Sequence, residues 1–235
     1  MRLRGRAWDR RYADRRPAVR PVPRRGAWFL VVTGTTLLGV ASVLVRSGVT
    51  GWDECLYRWL NDVPTGVAAL LTPFSKLFLP LGITVAVVAG TGYCAARNRS
   101  LWPVAYCVGS AVAAWFGANL AKALAERPRP YEVEPNAVLR QQPAHGTSFP
   151  SSHTAVAVAV ALTLIPYLPR GGAAIALGYA SMVAWSRIYL GVHYPLDVIG
   201  GAGIGLMVGG GALLLIAWFH APSRTGPADL PPDST

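Results

Sequence analysis

What most constrains this chain is a series of uncharged apolar runs, each about as long as a bilayer core is thick. A helix needs roughly 20 predominantly apolar residues to cross that core. Residues 27–45 carry no charge and stop at Arg46. Residues 77–96 stop before Arg97 and Arg99, and residues 101–121 stop at Lys122. A polar stretch, 126–149, separates these from residues 151–169, which are apolar around His153. Residues 171–186 run to Arg187, and residues 198–219 form the last run. The fifth run is short and needs residues beyond Arg187, through Tyr189 and Leu190, to reach spanning length.

Composition agrees. Charged residues make up 14% and hydrophobic residues 52%, whereas a soluble domain carries roughly 25% charge. The net charge of +11 would suit a nucleic-acid binder, but ten of the 22 basic residues are arginines within positions 1–25. The charge therefore belongs to a tail, and no nucleic-acid partner is expected. Cys55, Cys94 and Cys107 are odd in number and form no CxxC pair, so they read as structural thiols.

The expected fold is all-α, a six-transmembrane helical bundle over residues 27–219. A basic, disordered cytoplasmic tail over 1–26 precedes it, and a second cytoplasmic tail covers 220–235. Residues 52–62 do not span; Trp52, Leu56, Trp59 and Leu60 recur at helical spacing, with Asp53, Glu54 and Arg58 between them. This pattern predicts a short amphipathic helix at the outer interface, where Trp anchors well. Residues 65–75 continue toward the second span as a broken or tilted helix. Gly201, Gly205 and Gly209 recur every four residues, which permits close helix packing in lipid. Packing within the bundle is the plain reading; a homodimer seam is the sharper one.

With six spans both termini share a side. That side holds the ten N-terminal arginines, Arg97, Arg99, Arg170 and Arg224, which is 14 of 22 basic residues. The excess marks it as cytoplasmic. The opposite, extracytoplasmic side then receives three polar clusters: Lys122 to Pro130, Phe149 to Thr154, and Ser186 to Asp197.

Charges at membrane depth are costly and usually functional, and these clusters suit a phosphoryl group. Pro128 and Pro130 turn the chain out of helix, leaving Lys122 in a last helical turn with Arg129 folding back over it. Pro150-Ser151-Ser152 reads as a helix start with free N–H groups, a natural anion site. Arg187 adds a third cation. His193 and Asp197 are four apart, so the carboxylate can fix the imidazole tautomer and leave the other ring nitrogen free. His153 has no carboxylate nearby in sequence and suits an acid. His145 reads as a solvated loop residue.

In these residues the chain resembles the type 2 phosphatidic acid phosphatase (PAP2) superfamily, whose pattern is K-x6-RP, PSGH and SR-x5-H-x3-D. Lys122, Arg129 and Pro130 match the first motif, and Ser186, Arg187, His193 and Asp197 match the third. The second reads Pro150-Ser151-Ser152-His153, with Ser152 where glycine is usual. The resemblance covers roughly residues 50–219. It implies a metal-independent, cofactor-free lipid phosphatase of a bacterial plasma membrane, with its site on the extracytoplasmic side. His193 would be the nucleophile, Asp197 its orienting partner and His153 the acid and base. Lys122, Arg129, Ser151, Ser152 and Arg187 would bind phosphate. The substrate expected first is a polyprenyl pyrophosphate, then phosphatidylglycerol phosphate or phosphatidic acid. A lipid phosphotransferase using the same phosphohistidine stays open. A non-enzymatic transporter or scaffold would be signalled by a missing motif His or Asp, and none is missing.

Overall fold

The computed structural model describes residues 19–48, 50–78 and 80–219. The tail expectations over 1–18 and 220–235 lie outside these described residues. Helix α1 is Arg24–Ser47, closed by Gly48 in the left-handed conformation at φ 69°. The interfacial segment is α2, Gly51–Asn61. Next come α3 (Thr65–Lys76) and α4 (Pro80–Asn98), bent by 49° where they meet, which is the broken helix expected there. Helix α5, Trp102–Ala125, stops where Glu126 turns left-handed ahead of Pro128. A single turn, α6 (Pro130–Val133), interrupts the polar loop. The remaining helices are α7 (Ser152–Leu164), α8 (Arg170–Tyr189) and α9 (Pro195–Phe219).

Every apolar run is thus helical, and the described residues contain no strand. By length and composition, α1, the Trp102–Val133 segment and α9 can each cross a membrane, and α3 with α4 adds a fourth crossing if the bent pair is one span. That count falls short of six. Helix α7 has only 13 residues before its closing 3-10 turn, and α8 mixes glycine, serine and tyrosine into its apolar sequence between Arg170 and Arg187.

Burial separates an inner from an outer layer. Helix α7 is apolar on all sides and rich in alanine, the pattern of a helix surrounded by others. It packs against α9, α5 and α8, and α9 packs most extensively on α1. The outer helices expose Trp28, Phe29 and Val32 on α1, and Val112, Phe116 and Leu120 on α5. Such continuous apolar faces belong in lipid rather than water.

Glycines set the central spacing. A Cβ at Gly205 would lie 2.6 Å from Val158 Cβ and 2.8 Å from the Ala155 carbonyl of α7. Gly201 and Gly209 face the same helix. The every-fourth glycines therefore form the α7–α9 seam within one chain, and the packing reading replaces the dimer reading for these three residues. Gly205→Ala is expected to destabilise by about 1–3 kcal/mol, the usual cost of overpacking. Gly211, whose Cβ would meet nothing within 4 Å, is the control: Gly211→Ala should be neutral or slightly stabilising, since Ala is the better helix former. Thermal melts of both variants in one detergent check this.

The expected amphipathic helix is present as α2, and the structure decides which of its faces turns inward. Asp53, Tyr57 and Asn61, four apart, form its buried stripe, while Trp59 points outward, 75% exposed. In water the acid would face out. Here the acid turns inward, toward polar groups of the bundle, and the tryptophan outward. Asn61 is one such contact, bridging the carbonyls of Val138 and Tyr189, each at 3.1 Å.

Candidate active site

The three clusters converge because the ends of α5, α7, α8 and α9 meet at one end of the bundle. Between them lies a cavity of about 490 Å³. Lys122, Arg129, Ser152, His153, Arg187 and His193 all line it. Two of the expected site residues do not. Asp197 is fully buried behind His193. Ser151 is also fully buried; its N–H donates to the Asp197 carbonyl at 2.9 Å, and its hydroxyl accepts from Thr154 at 3.1 Å. Ser151 therefore ties α7 to α9, and the cavity wall at that turn is Ser152 and His153. The first N–H groups of α7 have no partner within their own helix, which leaves them suited to an anion.

Each cation is held by backbone oxygen. Lys122 Nζ donates to the carbonyls of Thr147 (2.7 Å) and Ser148 (3.1 Å). Arg129 donates to those of Gly146 (2.9 Å), Val192 (3.0 Å), His145 (3.1 Å) and Thr147 (3.3 Å). It thereby gathers the 145–147 loop against the chain that carries His193. Arg187, only 1% exposed, donates to the Phe78 carbonyl at 3.1 Å and to the Ser186 hydroxyl. Carbonyls orient these groups without neutralising them, so the cavity keeps a net positive charge suited to a phosphoryl group. His145, read as a solvated loop residue, is exposed and also lines the cavity.

His193 Nδ1 lies 3.5 Å from Asp197 Oδ2. The same oxygen accepts the Tyr194 N–H at 2.8 Å and a short hydrogen bond from the Ser148 hydroxyl. The other oxygen, Oδ1, accepts from Arg127 at 2.8 Å. Because Nδ1 faces the carboxylate, Nε2 is the nitrogen left to act in the cavity. Burial pushes the His193 imidazole down to about 4; Asp197 pulls it up, and Lys122 and Arg129 push it further down.

The PAP2 superfamily profile matches residues 101–221, half of the chain. The chain belongs to the PAP2 superfamily. It is 38% identical over 74 residues, 31% of its length, to an undecaprenyl-diphosphatase of Sulfolobus acidocaldarius. It is 29% identical over 168 residues to the bacitracin transport permease protein BcrC of Bacillus licheniformis, covering 69% of this chain and 77% of that one. In two curated relatives the match covers only 30% and 35% of the relative's own length. The transmembrane PAP2-type phosphatidylglycerolphosphate phosphatase of Bacillus subtilis shares the fold. Its crystal structure aligns over 83% of this chain and 99% of its own, with a TM-score of 0.64 at 22% identity. This PAP2 chain is accordingly a multi-pass membrane protein.

Motif reasoning missed three groups that brace the cavity and the residues behind it. Arg127 bridges two buried carboxylates, Asp197 and Asp53, the second at 2.6 Å. Ser148 bonds Asp197 from the loop. Gln141 stands 3.5 Å from Arg187 and lines the cavity. A signal for the first was present: an arginine and an aspartate, both at the membrane boundary, need partners more than solvated charges do.

Proposed function

We propose that this protein hydrolyses a phosphomonoester or pyrophosphate carried on a lipid, through a phosphohistidine at His193. One observation carries the reading: His193, backed by Asp197, faces a single cavity together with His153 and three cations held by uncharged carbonyls. His193 Nε2 attacks phosphorus, forming a P–N bond as the P–O bond to the leaving group breaks. His153, protonated once the negative charge of the phosphoryl group sits beside it, gives that proton to the departing oxygen. His153, now neutral, takes a proton from water as that water attacks phosphorus; the P–N bond breaks and phosphate leaves. Lys122, Arg129, Arg187, Ser152 and the α7 N-terminus hold the three non-bridging oxygens, over which the charge is spread during transfer. Preorganised donors of this kind supply much of the rate enhancement in such sites.

A lipid-borne substrate is favoured by the cavity's flank on α5. Trp115 and Asn119, one turn apart, line it, and Trp115 is 56% exposed on the lipid-facing side. A headgroup can therefore arrive from within the leaflet while its tail stays in the bilayer. A polyprenyl pyrophosphate is the first candidate, in keeping with the undecaprenyl-diphosphatase among the relatives; phosphatidylglycerol phosphate and phosphatidic acid follow. The split of basic residues favours the extracytoplasmic side of the plasma membrane for the site.

Metal independence belongs to the same reading, because fixed cations occupy the places a divalent ion would serve. Asp197, the carboxylate that backs His193, is already engaged by Arg127, Ser148 and Tyr194. Detergent-purified protein is expected to release phosphate from at least one lipid of a panel with EDTA present. Vanadate, which takes up the five-coordinate geometry of the transition state, should inhibit. Dependence on an added divalent ion would overturn metal independence. A transport role, which the name of BcrC raises, predicts no phosphate release from any lipid. An acceptor-dependent phosphorylated product in place of free phosphate would identify a phosphotransferase.

A further inference from the structure

Asp53 lies on α2, outside all three motifs, yet its side chain is fully buried. Both its oxygens accept hydrogen bonds, so it is held as a carboxylate. Oδ2 takes Arg127 Nη2 at 2.6 Å, and Oδ1 takes the Leu196 N–H at 2.7 Å, in the first turn of α9. The other arm of Arg127 reaches Asp197 Oδ1 at 2.8 Å, and the guanidinium sits 4.1 Å above the Tyr194 ring. Asp197 Oδ2 is thereby left to face His193.

We propose that Asp53 is a positioning residue for the phosphoryl-transfer step, acting through Arg127 on Asp197 and so on His193. The proposal rests on the phosphohistidine reading above. A guanidinium is a planar fork whose two arms seek oxygen acceptors. With Asp53 holding one arm, only the other is directed at Asp197, and it stays on Oδ1. Without that carboxylate both arms are free to turn on Asp197 in the bidentate geometry Arg favours, competing with His193 for Oδ2.

Charge changes as well. Asp53, Arg127 and Asp197 sum to one negative charge, which offsets the positive charge that His193 acquires when phosphorylated. With Asp53 neutral the sum is zero and that support is gone. A buried ionic triad is weak as a source of stability, so its place directly behind the nucleophile points to organisation of the site. The triad also joins the interfacial helix to the start of α9, two elements that the motifs leave unconnected.

The test compares kcat, KM and the pH profile of kcat/KM on one lipid phosphate. The charged groups around His193 are Asp197 on α9, Lys122 on α5, Arg129 in the following loop, His153 on α7 and Arg187 on α8. Asp53→Asn leaves all five in place. It is expected to lower kcat by about 10–100-fold, the usual cost of losing an outer-shell orienting partner, with KM little changed. Removing a negative charge disfavours protonated His193, so the acid limb should move to lower pH. A merely structural role would not move that limb.

Arg127→Lys keeps the charge but cannot hold both carboxylates. It should lose a similar factor in kcat with the acid limb unmoved, and adding Asp53→Asn to it should cost little more kcat. If Asp53→Asn is not recovered as monodisperse protein, Asp53→Ser takes its place with the same two expectations. Wild-type kcat in either single variant overturns the proposal, as do losses that simply multiply in the double variant or an unmoved acid limb in Asp53→Asn. Failure of the underlying reading looks different: the wild-type protein would then release no phosphate from any lipid.

Discussion

His193→Ala is expected to abolish both turnover and any trappable phosphoenzyme, on every substrate. It removes the atom that attacks phosphorus in the proposed mechanism, and His153, the other histidine of that mechanism, has no carboxylate partner among the described residues. His153→Ala should cost about 100-fold or more on a lipid phosphate, the range for a lost acid–base group. Its loss should shrink on an activated aryl phosphate, whose leaving group hardly needs a proton. The two substrates therefore separate the two histidines. If the better leaving group rescued His193→Ala while His153→Ala stayed inactive on both, the roles would have to be exchanged.

The pH dependence follows from the same geometry. The proposed nucleophile must be neutral, and an imidazole is neutral above its pKa. Burial holds His193 down to about 4, so activity lost to its protonation should appear only as pH falls toward that value, not near 6.5. A kcat/KM profile, which reports the free enzyme, checks this.

Arg187→Ala is the second large effect. The guanidinium is almost completely enclosed, with the Phe78 carbonyl and the Ser186 hydroxyl fixing its orientation. In the proposed mechanism it would meet the phosphoryl group without having to reorganise. Removing such a preorganised donor typically costs about 100–1000-fold in kcat. Arg187→Lys should recover part of this, because it restores the charge but not the fork. It should also recover less than Lys does at an exposed phosphate contact, since one ammonium cannot serve Phe78 and a phosphate oxygen with the same directions. Phosphate release by both variants at saturating substrate measures the difference. Wild-type kcat in Arg187→Ala would remove Arg187 from the site.

Much of the site was legible in the sequence because its parts are local. Lys122 and Arg129 lie in one helix end and the loop that follows it, Ser152 and His153 within one helix start, and His193 and Asp197 four positions apart. Short-range spacing is enough to put such residues on a common face. The apolar runs were legible for a similar reason: a bilayer imposes a length and a charge rule on each helix separately. Motif order and the count of basic residues together placed all three clusters at one end of the bundle, and the structure places them at one end.

Other features needed the folded chain. Ser151 matches its motif position, yet the structure turns it into the α7–α9 tie. Asp53 looked like the polar side of an interfacial helix, since hydrophobic periodicity gives a helix an apolar and a polar face but not which of them meets lipid. The glycines at 201, 205 and 209 mark a close contact without naming the partner helix; α7 is that partner because of how the bundle closes. The sequence by itself determined an all-helical membrane protein and the identity of six cavity-lining residues, because those depend on composition and on neighbours a few positions apart. Only the tertiary structure decided that Asp53 and Asp197, 144 positions apart in the chain, share the single guanidinium of Arg127. A buried charge takes its partner from whatever the fold brings within hydrogen-bonding distance, and sequence separation carries no information about that distance.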